Sequence, residues 1–164
     1  MPGAEQILPL IAELNQRAPL VISTMDAHSE DDPEFKIYPH HCVAETASQR
    51  KPASTLVTSR ATLPAAPDGV RQLILEKQTL DCFSNPHLRP LLAKLGAERY
   101  VVYGVVTEIC VRFAAFGLLE TGRRVELVTD AVKALDEDAA RKMFRDFTAA
   151  GGVLTTAAET LRDN

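Results

Sequence analysis

The chain has 164 residues, 46% of them hydrophobic and 24% charged, a balance that excludes disordered, collagen-like and coiled-coil chains and suits one globular domain over 1–164. Lys and Arg number 18 against 22 Asp and Glu, a formal net charge of −4, and a mildly acidic chain with no basic block is a poor binder of nucleic acid or anionic membrane. Three cysteines, Cys42, Cys82 and Cys110, make no disulfide framework and point to a reducing, cytoplasmic compartment. The start Met1-Pro2-Gly3-Ala4-Glu5 has neither the basic nor the long apolar part of a signal peptide. The apolar runs fall well short of the ~20 residues that span a bilayer.

Along the chain, Ile7, Leu10, Ile11 and Leu14 share one helical face, and Pro19 ends that helix. Leu20 to Met25 reads as a buried strand. Residues 26–53 are polar and carry prolines, so they read as a long loop of the kind that is usually functional. Ser54 to Ser59 is a weaker strand candidate. Val70 to Glu76 is a strand or a short helix, with strand preferred. Asn85-Pro86 predicts an N-cap with proline at the first helical position, followed by Leu88, Leu91, Leu92 and Leu95 at helical spacing and a stop at Gly96. Tyr100 to Val106 is a continuous β-rich run. Residues 108–121 predict a helix closed by Gly122. Val125 to Val128 is the next strand, and Asp136 caps a helix that buries Ala140, Met143, Phe144 and Phe147. Val153 to Thr156 is the last strand. Strands separated by helices imply a three-layer α/β fold with a mainly parallel sheet, whose ligands lie beyond the carboxyl ends of the strands.

Three constellations could carry chemistry. Asp26 and His28 follow the first strand, and residues i and i+2 of an extended chain point to one side. With Glu34 and His41 from the following loop they could close around Zn²⁺, Fe²⁺ or Mn²⁺. His40 competes with His41, and spacing does not separate them. Cys110 follows an apolar strand at the start of a helix, where dipole and free N–H groups favour the thiolate and can bind an oxyanion; a buried structural cysteine is the alternative. Cys42 and Cys82 read as structural. Lys77 ends an apolar stretch and points toward the same edge, or is an ordinary surface lysine.

The run Gly104-Val105-Val106-Thr107-Glu108-Ile109-Cys110-Val111 resembles the nucleophile signature of the isochorismatase-like cysteine hydrolases, which include the nicotinamidases. The order around it matches as well: Asp26-x-His28, then Tyr38-Pro39-His40-His41-Cys42-Val43, Glu76-Lys77, Asp81-x-Phe83-Ser84 and Val128-Thr129-Asp130-Ala131. The resemblance implies that Cys110 attacks an amide carbonyl to form an acyl-enzyme and that Lys77 supports the thiolate. Val106 and Cys110 supply oxyanion N–H groups, with a cis bond at Val105-Val106. The same resemblance implies that Tyr38 packs against the substrate ring and that Phe83 is a further substrate-binding residue. The nicotinamidase resemblance further implies a divalent metal, zinc first, with iron or manganese as alternatives, whose ligands match Asp26, His28 and His41, with Glu34 where some members have a fourth, and which binds the pyridine nitrogen of a nicotinamide-like substrate. A metal-independent relative acting on isochorismate or a carbamoyl compound is the alternative activity. Homo-oligomers are expected.

The resemblance also implies a first strand that carries the triad aspartate, upstream of Pro2-Gly3-Ala4. No residue here matches that aspartate: Asp26 is assigned to the metal and Asp130 to a structural position. A chain truncated at its start, a catalytically dead assembly subunit, or another carboxylate filling the gap are the open explanations, with truncation preferred. Loss of one member of a catalytic unit costs orders of magnitude in rate.

Overall fold

The computed structural model of the protein describes residues 1–162. Its first half builds a three-stranded sheet from β1 (Val21–Asp26), β2 (Arg60–Thr62) and β3 (Gln72–Lys77). The strands are parallel, in the order β1-β3-β2. β1 and β3 pair residue for residue from Val21 opposite Gln72 to Asp26 opposite Lys77. Helix α1 (Leu8–Arg17) precedes β1 and stops where Pro19 cannot continue it. The predicted strand over Ser54 to Ser59 is corrected: Ala53–Thr55 is a single 3-10 turn, and the strand is the next three residues, Arg60–Thr62. Helix α2 (Leu88–Leu95) follows β3 and closes at Gly96, which takes φ +58°. It starts later than the Asn85-Pro86 pair predicts. Asn85 Oδ1 accepts from His87 N, while Asn85 Nδ2 is spent on the Glu76 carbonyl.

The second half is a separate parallel sheet, ordered β4 (Arg99–Val105), β5 (Arg124–Lys133), β6 (Val153–Thr155). Helices α3 (Arg112–Leu119), α4 (Glu137–Ala149) and α5 (Ala157–Arg162) complete the fold. Val102, Val125, Leu127 and Val132 pack with Val111 and Ala115 at α3 and with Met143 and Phe147 of α4. On other positions of β5, Val128 and Ala131 pack with Leu14 of α1 and Ala157 of α5. Helices therefore cover both faces of this sheet, the three-layer parallel α/β arrangement that the periodicity implies. Asp136 caps α4 through Asp138 N and Ala139 N, as predicted. Asp130 is structural: it sits where β5 bulges past β4, and its Oδ1 accepts from Ala157 N at the start of α5.

The strands form two sheets instead of one continuous sheet, and side chains join the halves. Asn15 of α1 donates to the Thr55 carbonyl at 2.7 Å and accepts from Tyr103 Oη of β4 at 2.7 Å. Gln72 of β3 donates to the same Thr55 carbonyl. Tyr100 packs against the cores of both halves. Glu126, buried in β5, is neutralised by Arg99 at 2.8 Å and Arg124 at 2.6 Å, the pairing that a buried carboxylate requires. No helix among the described residues is long and apolar enough to cross a membrane.

Candidate active site and cation cluster

The parallel register brings the chemistry together. Asp26 and Lys77 are the last residues of neighbouring strands and lie directly opposite each other, so their side chains leave the same face of the sheet. Lys77 is buried, and its three ammonium donors are all used. They go to Asp26 Oδ1, to the Thr79 carbonyl at 2.9 Å and to Cys110 Sγ at 3.5 Å. Burial opposes this ammonium, but Cys110 and Asp26 together hold its pKa above the ordinary lysine value. The alternative of a surface lysine is thereby removed.

Cys110 enters from the other half of the molecule. The bond between Val105 and Val106 is cis, as the resemblance implies. The chain then makes one π-type turn, Thr107–Val111, before α3 begins. Ile109 N and Val111 N both turn back on the Val106 carbonyl. Glu108 fixes this turn from outside: its Oε1 accepts from Leu135 N and Asp136 N, each at 2.9 Å. The expectation of a lowered thiol pKa is corrected. Burial pushes Cys110 above the ordinary thiol range, and Lys77 and the Val106 N–H only partly offset that. Desolvation of the thiolate outweighs one lysine that is already shared with Asp26.

Asp26, His28 and His41 form the second part of the site, with one ligand atom of each lying within 4.8 Å of the others. His28 is held to the following loop by backbone bonds, its N–H to the Cys42 carbonyl and its carbonyl to Ala44 N. That bridge brings the His41 ring to 4.8 Å from the His28 ring. His40 instead stacks on Phe35 at 4.1 Å, which resolves the choice between the two histidines. His41 Nδ1 bonds to the Pro39 carbonyl at 2.8 Å, and His28 Nδ1 to Asp32 Oδ2 at 2.9 Å. Both acceptors lack protons, so each Nδ1 carries the hydrogen, the tautomer in which a neutral ring has its lone pair on Nε2. The His28 ring is 1% exposed, and its Nε2 is buried with no partner. Glu34 Oε1 lies 3.8 Å from His28 Nε2 and 3.7 Å from His41 Nε2. Two imidazole nitrogens, one orphaned, beside two carboxylates fit a divalent cation of the zinc, iron or manganese type.

Some of these residues escape a reading of the sequence. Asp32 accepts from Glu34 N and from His28, which hold its carboxyl below the usual range and keep it ionised. It is a partner behind the ligands that orients one imidazole and the Glu34 turn at once. The Asp32-Pro33-Glu34 run, an N-cap before proline, was the available signal. Lys51, with no such signal, donates to the Thr24 carbonyl beside Asp26 and Cys42, and burial lowers its pKa. Cys42 carries the carbonyl that fixes His28 and, with its thiol near Asp26, belongs to the site's surroundings. Tyr38 stays half-buried, with its N–H on the Glu34 carbonyl. Phe83 packs: its ring lies against Gly117 of α3 and beneath the Arg89 guanidinium at 4.8 Å. Asp26, which the resemblance assigns to the metal, stands in the cluster and also pairs with Lys77.

Two parallel strands and the turn after β4 bring an ammonium, a carboxylate and a thiol together at one edge of an α/β protein. The isochorismatase-domain model matches residues 2–159, and the chain belongs to the isochorismatase family. It is 24% identical to a nicotinamidase of Acinetobacter baylyi (strain ATCC 33305 / BD413 / ADP1) over 167 residues, covering 82% of this chain and 72% of that protein. PnC1 from L. infantum in complex with nicotinate shares the fold with a TM-score of 0.81 and 24% identity, over 96% of this chain and 82% of that one. The pyrazinamidase of Pyrococcus horikoshii in complex with zinc does so with a TM-score of 0.77 and 24% identity, over 95% and 88%. The fold is that of the isochorismatase-like hydrolases.

Proposed function

We propose that the protein hydrolyses the C–N bond of a small amide of the nicotinamide type through a Cys110 acyl-enzyme, with a divalent cation in the substrate site. The observation that carries this reading is the buried Lys77, bonded at once to Cys110 Sγ at 3.5 Å and to Asp26.

Burial keeps the resting Cys110 protonated, so its proton must leave during attack. As Sγ bonds to the carbonyl carbon, Lys77 gives one proton to Asp26 and takes one from sulfur. The backbone N–H groups of Val106 and Cys110 serve the oxyanion. The intermediate collapses as ammonia leaves with the proton held by the Lys77–Asp26 pair. Water then attacks the thioester, releasing the carboxylic acid and restoring the thiol. His28, His41 and Asp26, with Glu34 beside them, would hold the cation. That cation supplies a Lewis-acid seat for a nitrogen lone pair, such as that of a pyridine ring.

The test is ammonia release from nicotinamide by the purified chain and by Cys110→Ala. The expected result is turnover that falls by about 10³-fold or more in the variant. Hydrolysis that survives Cys110→Ala sinks the mechanism. Release from a carbamoyl compound but not from nicotinamide keeps the nucleophile and replaces the substrate.

A further inference from the structure

Asp26 is used twice. Its Oδ1 pairs with the Lys77 ammonium that holds Cys110 Sγ at 3.5 Å. It is also the carboxylate of the cluster with His28 and His41, whose donor atoms lie within 4.8 Å of one another. The backbone imposes both roles: Asp26 ends β1 opposite Lys77, and His28 follows two residues on. The other Lys77 contacts, Thr79 and Cys110, lie outside the cation cluster. Glu34 approaches both imidazoles, and among the described residues no ion pair or hydrogen bond joins it to Lys77. Among the described residues, Asp26 is therefore the one side chain common to the Lys77–Cys110 pair and the cluster.

A carboxylate carries one negative charge, and a cation bound to it weakens its hold on an ammonium. Resting on the reading above, we propose that Asp26 is a positioning residue shared between the two parts of the site, so that cation binding and Cys110 reactivity are coupled. A divalent cation at His28, His41 and Asp26 competes with Lys77 for the carboxylate's charge, and with the Lys77–Asp26 contact kept it leaves more of the ammonium's charge to the sulfur. By linkage the effect is reciprocal: removing the ammonium must tighten the cation.

The test is the affinity for Zn²⁺, measured by competition with a chromophoric chelator, for the unmodified chain and for Lys77→Met, Lys51→Met and Cys110→Ala. Lys77→Met is expected to bind zinc tighter by about 5- to 150-fold, the usual span of coupling between sites. Cys110→Ala is expected to bind as the unmodified chain does. Lys51→Met controls for charge alone, because that ammonium lies near Asp26 but bonds to the Thr24 carbonyl. An unchanged affinity in Lys77→Met overturns the proposal, as does an equal gain in Lys51→Met or a failure of the unmodified chain to bind zinc. Should Lys77→Met fail to fold, the unmodified chain provides the second measurement: iodoacetamide labelling of Cys110, located by peptide mass spectrometry, with and without saturating zinc. Labelling should be faster with zinc; unchanged or slower labelling overturns the coupling. Neither measurement uses amide hydrolysis. Failure of the coupling leaves the Cys110 hydrolase reading standing, failure to bind zinc removes only the cation from it, and failure of ammonia release with the coupling intact overturns only the hydrolase reading.

Discussion

Lys77→Met removes one charge while keeping a side chain of similar length. In the structure that charge lies 3.5 Å from Cys110 Sγ. With an effective dielectric of about 20, a thiolate and an ammonium at that separation attract by about 5 kcal/mol. Losing the attraction lowers the thiolate population by about three powers of ten at fixed pH, since each 1.4 kcal/mol is about tenfold. The variant is expected to lose about 10³-fold in kcat/KM for amide hydrolysis and a similar factor in Cys110 alkylation at neutral pH. The assay is iodoacetamide labelling across pH, resolved by peptide mass spectrometry, beside ammonia release. In the unmodified chain the labelling rate should climb through and beyond the ordinary thiol range, because burial raises the Cys110 pKa. In Lys77→Met the same curve should lie at still higher pH, since the removed charge favoured the thiolate. Cys82, buried and pushed up to about 11, is a slow internal reference in the same digest. A folded Lys77→Met that loses less than about tenfold in both measurements refutes the assignment of Lys77 as the thiolate's partner.

Three further outcomes are expected. His41→Ala should weaken zinc binding by about 100-fold or more and Asp32→Ala by about 10- to 100-fold, whereas His40→Ala, whose ring is stacked on Phe35, should leave it unchanged in the same chelator competition. Tyr103, half-buried and raised by desolvation from 10.0 to about 12, contributes stability that is complete below pH 10 and is lost as pH rises to about 12; its size is about 3 kcal/mol, so urea midpoints should drop over that window and the drop should vanish in Tyr103→Phe. Gly152→Ala would place a Cβ 2.2 Å from the Phe147 ring, which is fully buried, and should cost about 1–3 kcal/mol of stability by overpacking, measured by urea denaturation.

Much of the architecture was legible because it rests on local signals. The helical spacing through Leu14, the run into Val105 and the Asp136 cap all appear where their periods and side chains place them. The misplaced elements lack such signals. Arg60–Thr62 is a strand only because β3 pairs with it. Helix α5, at six residues, gives too short a period to read, and Asp130 from a distant strand secures its start. The turn that carries Cys110 looks helical in its residues but is wound one residue wider.

The sequence by itself determined the α/β class, the Asp26-x-His28 pair, the Cys110 run and the family they indicate, since all of these depend on neighbours along the chain. The tertiary structure decided which histidine joins the cluster, that Asp32 stands behind it, and that the Cys110 thiol is raised instead of lowered. It also decided that Asp26 meets Lys77. Strand register determines which side chains from separate segments share a face, and burial determines what a charge costs there. Both are properties of the packed molecule, and the order of residues does not state either of them.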